Sequence, residues 1–173
     1  MFLDESGVNT DETRHYGRAV GKVRVHDCTA LNTPKSTTIL SSVRLDGETV
    51  HTTFPGAVNG ERFLEYLRDH LAPTLKPGDI VVMDNLRTHK VEGVKEIIEA
   101  ANATVLYLPP YSPDLNPIEQ MWSKIKAILR SLKARSAEAL LLAIPPAFAS
   151  LSVKDILGWF SSAHYCSYLM ELL

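Results

Sequence analysis

Hydrophobic residues in the first 45 positions fall in short β-rich stretches, and Gly, Asn, Thr and Pro separate these stretches from one another. The stretches 1–8, 19–28 and 36–45 therefore predict three strands of an antiparallel meander. Farther along, residues 79–85 (DIVVMDN) contain a continuous apolar run, which is typical of a strand buried on both faces.

Apolar residues at helical spacing lie on both sides of this central strand. Residues 59–71 and 91–101 each place their apolar side chains on one helical face, and TVLYLP (104–109) predicts another buried strand. A strand, a helix and a second strand in this order predict a parallel pair with a right-handed crossover.

The rest of the chain predicts further helices. The i, i+3, i+4, i+7 spacing of apolar residues is unbroken from Ile118 to Leu132, which predicts one amphipathic helix. The pattern from Ser136 onward is also helical, and Pro145 and Pro146 predict an interruption in it. Together the elements predict an α/β protein with a mixed five-stranded sheet, three antiparallel strands and then a parallel βαβ unit, and with helices on both faces.

Length and composition narrow the class of protein. A chain of 173 residues, 45% of them hydrophobic, is long enough for one domain with a sizeable core. The net charge of −2 argues against a protein that coats nucleic acid through bulk charge, although it allows a local basic stripe. Cys28 and Cys166 lack the spacing of metal ligands, so we expect free thiols in a reducing cytosol. Since there is no signal-peptide pattern and no apolar run near the ~18 residues of a membrane span, we expect a soluble intracellular protein.

Three acidic residues occupy positions where the active sites of open sheets usually lie. Asp84 closes the central apolar run, Asp4 lies in the first strand, and Glu119 opens the helix after the last strand. If the first and fourth strands are neighbours, the three carboxylates converge and repel one another unless a divalent cation lies among them. Oxygen ligands favour magnesium or manganese over zinc, and two such ions can activate water or a 3′-hydroxyl for phosphodiester chemistry.

The loop before Glu119 is unusually stiff. Four of the ten prolines fall between Pro109 and Pro117, and their fixed φ angles hold Glu119 in place at low entropic cost. The helix that follows carries a basic stripe, because Lys126, Arg130 and Lys133 share a face with Glu119. Such a stripe could follow a phosphate backbone, although it could also be an ordinary solvated helix face.

Three motifs of the sequence, FLDESG, VVMDNLRTHK and LPPYSPDLNPIEQMWSKIK, resemble the acid-bearing motifs of DDE transposases, above all those of bacterial insertion-sequence transposases related to mariner elements. The resemblance implies a ribonuclease-H-like fold with Asp4, Asp84 and Glu119 as catalytic residues and ligands of two magnesium or manganese ions. The 34 residues between Asp84 and Glu119 match the family's spacing. The resemblance also implies DNA cleavage and strand transfer at the ends of a mobile element.

The resemblance and the basic stripe set expectations for further residues. We expect DNA contacts at His89 and Lys90 and along the stripe of Lys126, Arg130 and Lys133. We expect Asn85, Pro110, Tyr111, Asn116 and Pro117 to support the loop that carries Glu119.

Further expectations concern the organisation of the whole molecule. We expect a single catalytic domain over residues 1–173, with its core over 1–133 and C-terminal helices over 136–173. Relatives carry N-terminal helix-turn-helix modules, and the acid-bearing strand here begins at Met1, so we expect a catalytic half only. Expected partners are transposon ends and target DNA, a separate helix-turn-helix polypeptide, and further copies of the chain on DNA. The expected location is the bacterial cytoplasm, at the nucleoid during activity.

Each of these residues also has a simpler explanation. Glu119 fits a capping box with Asn116 as N-cap and Pro117 at N1. Asp84 alone could form an Asx turn, Asp4 could be a surface acid, and a lone His after a strand is as often structural as functional. Only the combination and spacing of the acids favour the metal site.

Two other functions stay open at this point. One is a non-catalytic transposase remnant that binds DNA or inhibits the full-length enzyme. The other is a ribonuclease-H-like nuclease acting on RNA/DNA hybrids, which the proline loop disfavours.

Overall fold

The computed structural model of the protein describes residues 1–12, 17–26, 28 and 36–165. Its principal elements in chain order are β1 (Phe2–Val8), β2 (Thr37–Val43), β3 (Thr49–Pro55), α1 (Gly60–Tyr66), β4 (Ile80–Met83), α2 (Val94–Ala100), β5 (Thr104–Tyr107), α3 (Ile118–Leu132), α4 (Ala137–Ala149) and α5 (Val153–Ser162). Short π- and 3₁₀-helical turns extend α1 as far as Thr74.

The strands form one five-stranded sheet in the order β3-β2-β1-β4-β5. The first three strands are antiparallel to one another, whereas β4 pairs with β1 in parallel and β5 pairs with β4 in parallel. The predicted mixed sheet is therefore confirmed, and β1 lies at its centre.

One predicted strand is wrong. Residues 19–26 and 28 contain no strand, and the segment 17–26 is exposed throughout, so its valines have no core to face. The third antiparallel strand is instead β3, which the prediction missed. Its sequence TVHTTFP has few large apolar residues, because only Phe54 of this edge strand is buried. Its β-branched threonines and valine still favour an extended backbone.

Two hydrophobic layers cover the sheet, one on each face. Helices α3, α4 and α5 pack on one face, where Trp122 and Phe148 meet edge to face. Helices α1 and α2 pack on the other face. The predicted helices on both faces are thereby confirmed, and the amphipathic pattern of α3 corresponds to its buried residues Ile118, Met121, Trp122, Ile125 and Leu129.

The last strand is less buried than its apolar sequence predicted. Because β5 lies at the edge of the sheet, Leu106 is 52% exposed and Tyr107 is only partly buried. The prediction of a fully buried strand was wrong, since an apolar run cannot distinguish a central parallel strand from an edge strand.

The two prolines do not interrupt helix α4. Pro145 and Pro146 both lie inside it, and the helix ends only at Ser150. Each proline lacks the N–H that would bond the carbonyl four residues earlier, at Leu141 and Leu142. Both of those residues are exposed, so water can satisfy their carbonyl groups.

Other expectations fall partly outside the described residues. Cys28 is exposed, and Cys166 lies outside the described range, so the expectation of free thiols stays a prediction. Residues 166–173 of the predicted C-terminal helices lie outside it as well.

In the described part of the chain, no single helix is both long enough and apolar enough to cross a membrane. Only α4 and α5 taken together, with a bend of 81° at the break between them, meet that length and composition.

A partly buried ion pair joins the antiparallel half of the sheet to the parallel half. Arg44 follows β2, and Asp79 precedes β4. The guanidinium donates to both carboxylate oxygens at 2.7 and 2.5 Å, and it donates to the Thr74 carbonyl at 2.9 Å. The hydrogen bonds from Arg44 lower the pKa of Asp79 to about 2.

We expect Asp79→Asn to lower the free energy of unfolding at pH 7 by about 2–3 kcal/mol, because it leaves the Arg44 guanidinium without its carboxylate. Since the folded pKa lies below the unfolded value of 3.8, the ion pair stabilises the protein fully above pH 4 and is lost as the pH falls through 2. The difference between parent and variant in urea unfolding should therefore shrink below pH 4. Glu48→Gln is the control, because Glu48 is an exposed partner of Arg44 and should change stability little.

Candidate active site

Asp4 and Asp84 lie side by side because of the register between β1 and β4. Phe2 pairs with Val82 in parallel, so counting two residues along each strand brings Asp4 level with Asp84. Side chains alternate between faces, so both carboxylates start from the face that carries Phe2 and Val82. The neighbouring strands that the sequence analysis required are thus present.

Asp4 is buried among other acids. It is 6% exposed, and its Oδ1 accepts a hydrogen bond from the Glu5 backbone N–H at 2.8 Å. Burial raises the pKa of Asp4 to about 7, and the charges of Glu5, Glu119 and Asp84 add to the effect. At neutral pH a buried carboxyl group of this kind is therefore only partly ionised until a cation compensates its charge. Asp4 is therefore no surface acid.

A fully buried histidine connects the two acid-bearing strands. Nδ1 of His89 lies 2.7 Å from Oδ1 of Asp84, and Nε2 lies 2.7 Å from Oε2 of Glu5. Burial alone would lower the pKa of His89, but the two carboxylates outweigh it and raise the pKa to about 9. The imidazolium therefore carries its charge at neutral pH.

The same contact keeps Asp84 ionised. Burial acts to raise the pKa of Asp84, but its contact with His89 and a hydrogen bond from the Leu86 N–H hold the pKa below the ordinary value. The Leu86 bond, at 3.0 Å, is the Asx-type turn that the simpler explanation predicted. Asp84 thus forms the turn and also lies beside Asp4 on the neighbouring strand.

The surroundings of His89 do not support the predicted DNA contact. Its ring is fully buried and lies 4.6 Å from the ring of Phe63, centroid to centroid. Its backbone carbonyl accepts a hydrogen bond from Tyr107. The structure instead shows His89 in contact with two of the acids. Its second partner, Glu5, was missed. The only sequence signal was the adjacency of two acids in DES, which place their side chains on opposite faces of β1.

Glu119 approaches the site at the end of the proline loop. Both ends of that loop are fastened to the acid-bearing strands. The Asn85 amide donates to the Leu108 carbonyl, and Asn116 Nδ2 donates to Oδ2 of Asp4 at 3.3 Å. Asn85 and Asn116 thus occupy supporting positions around the loop. Pro117 is buried, and it is the residue from which α3 starts.

The capping-box explanation of Glu119 is wrong. Helix α3 has no side-chain cap, and the Asn116 amide points to Asp4 instead of the helix N-terminus. The first turn is closed by a backbone bond from the Glu119 N–H to the Asn116 carbonyl at 3.1 Å. Glu119 itself is exposed, so its carboxylate is available to a ligand.

Asp84 and Glu119 face a common cavity of about 560 Å³. Asn116 and Lys90 also line it, and the proline loop forms one wall. Asp4 lies behind this lining and reaches the cavity through its contact with Asn116. Two of the three predicted acids therefore line one opening, and the third, Asp4, contacts a residue of its lining.

The donor set fits a hard divalent cation. Besides the carboxylates, the Oδ1 atom of Asn116 is buried without a hydrogen-bond partner among the described residues. Within the same described ranges, no three acidic, His or Cys side chains already lie close enough to hold one ion. Glu119 would have to turn inward on binding, which its exposed side chain permits.

The predicted cations differ in their surroundings. Lys90 is exposed at the cavity, with Nζ 5.2 Å from the Tyr107 ring centroid. Lys126 and Arg130 are partly buried on α3, and Arg130 Nε donates to the Lys126 carbonyl and lies 4.0 Å from Glu12. Lys133 ends the helix in a left-handed conformation (φ 52°), so the helical spacing does not extend past it. DNA contacts by these four residues stay predictions.

Comparison with known proteins places this arrangement in a family. The sequence model of the DDE superfamily endonucleases matches residues 1–141, which include all three acids. The chain belongs to this family of DDE endonucleases. No curated protein matches the chain in sequence.

Solved structures of the Mos1 transposase share the fold of this DDE endonuclease. The paired-end complex with left transposon end has a TM-score of 0.75 at 20% identity. The Mos1 strand transfer complex has 0.73 at 21%, and the mariner paired end complex with Mn has 0.74 at 19%. The alignments cover 94% of this chain but only 51%, 50% and 51% of those chains, respectively. The likeness confirms the ribonuclease-H-like fold, and the chain spans about half the length of these transposases.

We expect Asp4→Asn to stabilise the metal-free protein at high pH. The folded pKa of about 7 lies above the ordinary 3.8, so between pH 4 and pH 7 the unfolded chain loses the Asp4 proton while the folded protein still holds it, and the folded state loses stability. Asparagine carries no charge, so the melting temperature of the variant relative to the parent should rise between pH 5 and pH 8 in EDTA. Asp114→Asn, which changes an exposed acid of the proline loop, is the control. An equal loss of stability at both pH values in Asp4→Asn would contradict the raised pKa.

Proposed function

We propose that this DDE endonuclease is the catalytic domain of a transposase, which cleaves DNA at the ends of a mobile element and joins them to target DNA. The observation that supports the proposal is the placement of Asp4, Asp84 and Glu119. The register of two parallel strands aligns Asp4 with Asp84, and the proline loop brings Glu119 to the cavity that Asp84 also lines. The Mos1 complexes, by their names, contain a transposon end and a strand transfer state, which supports DNA as the partner.

Asp4, Asp84 and Glu119 would hold two divalent ions, magnesium or manganese. Such ions supply an activated water or 3′-hydroxyl and stabilise the leaving oxygen of the phosphodiester. The Mos1 complex with Mn supports a divalent ion in this fold. The raised pKa of Asp4 supports it too, because a cation would relieve the repulsion among the buried acids.

The residues of the chain then have distinct tasks. His89 keeps Asp84 ionised and fixes its direction, and Glu5 holds the other side of the imidazolium. Asn116 positions Asp4 and leaves one amide oxygen toward the site. Glu119 lies at the open side of the cavity, where its exposed carboxylate can turn toward an ion bound by the two aspartates.

DNA would approach over the cavity and along α3. Lys90 lies at the cavity, and Lys126 and Arg130 follow the helix away from Glu119, so their charges can meet successive phosphates. We further propose that the protein acts on DNA as an oligomer and that a helix-turn-helix polypeptide reads the ends.

The decisive variant is Glu119→Gln. We expect it to melt like the parent, because Glu119 is exposed and makes no cap, and to lose metal-dependent cleavage of supercoiled DNA by at least about 100-fold, because a neutral amide is a poor magnesium ligand. Magnesium should raise the melting temperature of the parent and do so less in the variant.

Asp84→Ala is the control for a contaminating nuclease in the same assay. Cleavage by Glu119→Gln at the parent rate would remove Glu119 from the site. Metal binding by the parent without any cleavage would favour a non-catalytic remnant.

We expect Lys126→Ala combined with Arg130→Ala to weaken DNA binding and to lower the slope of log affinity against log salt by about one to two units, because each phosphate contact releases roughly one counterion. The slope would be measured by titrating a labelled duplex at several salt concentrations. Lys95→Ala combined with Lys154→Ala is a control of equal charge on other helices. An unchanged slope in the α3 variant would mean that the stripe is only solvated.

A further inference from the structure

Tyr111 has a conformation and an exposure that stability does not explain. It lies at the tip of the proline loop with φ 56°, in the left-handed region that favours glycine or asparagine. It follows Pro110 in a turn, at the position where a positive φ normally selects glycine. Its side chain is 101% exposed.

The aromatic side chain therefore gains nothing from the fold itself. It buries no area, and in the described part of the chain its hydroxyl has no hydrogen-bond partner and its ring has no aromatic or cationic neighbour. A backbone conformation unfavourable to tyrosine thus presents a large flat ring to solvent. Strain of this kind is typical of positions that bind a ligand.

Tyr111 is one of the residues that line the cavity of Asp84 and Glu119. The lining of that cavity has two chemical characters. Asp84 and Glu119 form an acidic part, while Leu86, Pro110 and Tyr111 belong to an apolar part in the loops around it. Lys90 adds a cation to the same opening.

A nucleotide fits a lining that has an acidic part and an apolar part. Its phosphate requires the metals that the acids would bind, and its base offers a flat apolar face for an aromatic ring. A base inside duplex DNA has both faces covered by its neighbours, so only a base freed from the stack can use the ring of Tyr111.

We propose that Tyr111 stacks on an unpaired base of the strand next to the scissile phosphate, and so positions that strand during cleavage. The inference rests on the proposed function, since it assumes that the strand enters this cavity. The proposed stacking is a contact with a base that does not depend on the DNA sequence, because every base has an aromatic face.

The test uses the full chain and a hairpin duplex with a short single-stranded overhang that carries 2-aminopurine at one overhang position at a time. Binding is measured in EDTA, so the readout does not require cleavage. We expect fluorescence quenching by the parent and by Tyr111→Phe, with dissociation constants within about twofold of each other. Tyr111→Gly should bind about 5- to 150-fold more weakly and should not quench.

Glycine is the informative replacement because it accepts the positive φ. Tyr111→Gly should melt at or above the temperature of the parent, so a loss of binding cannot be ascribed to misfolding. Leu142→Ala is the matched control, because Leu142 is 77% exposed on α4 and does not line the cavity. It should bind and quench like the parent.

Salt and base pairing separate stacking from other contacts. The affinity ratio of parent to Tyr111→Gly should stay constant between low and high salt, because stacking releases no counterions. The ratio should approach one on a fully paired blunt duplex. A ratio that falls with salt, or an equal ratio on the paired duplex, would overturn stacking in favour of a phosphate or groove contact.

Four further outcomes decide the proposal. Quenching by Tyr111→Gly at the parent level would overturn it, as would a Tyr111→Phe variant that behaves like Tyr111→Gly, since the hydroxyl would then be responsible. A parent that cleaves DNA but binds and quenches no overhang would overturn stacking and leave the proposed function standing. Quenching without any metal-dependent cleavage would uphold the base contact and contradict the proposed enzyme.

Discussion

The parallel pairing of β1 with β4 is the constraint on which the rest of the site depends. A single register, Phe2 opposite Val82, brings Asp4 level with Asp84 and ties the Met1 carbonyl to the Val82 N–H at 2.9 Å. A shift by one residue would turn one of the two carboxylates to the opposite face of the sheet. The apolar alternation of these strands therefore fixes the core and the distance between the acids at once, because Phe2 and Val82 must both face α3 and its neighbours.

Gathering the acids creates an electrostatic cost that the protein offsets differently at each residue. Asp4 is buried, and its pKa of about 7 leaves it about half protonated at neutral pH without a cation. Asp84 is held ionised by the His89 imidazolium, which also compensates Glu5 on the other face of β1. Glu119 stays in solvent. The resting site thus never holds three buried charges together, and the full repulsion arises only when an ion is present to balance it.

Sequence patterns predicted the parts of the structure that depend on local periodicity. The order of elements from α1 to α3, the amphipathic face of α3 and the parallel pairing of β4 with β5 follow from apolar spacing and the topology of a βαβ unit. What could not be predicted depends on tertiary position. The exposed segment 19–26 has the composition of a strand but nothing to pack on, and β3 is a strand although it has few apolar residues. Likewise, the amide of Asn116 could cap a helix or bind Asp4, and only the three-dimensional structure places Asp4 within its reach.

The proline loop connects these observations, because its rigidity acts on both of its ends. Asn85 fastens one end to the loop after β4, Asn116 fastens the other to Asp4, and the prolines between them leave few alternative backbone conformations. A loop held in this way can keep Tyr111 at a positive φ, since the surrounding contacts over-determine the turn. The same rigidity fixes the start of α3 beside Asp4. Glu119, in the first turn of α3, then lines the cavity. A flexible loop could deliver the carboxylate only part of the time, and it would relax the strained turn as well. The stiffness that positions the third acid is therefore also what keeps an aromatic ring exposed at the edge of the site.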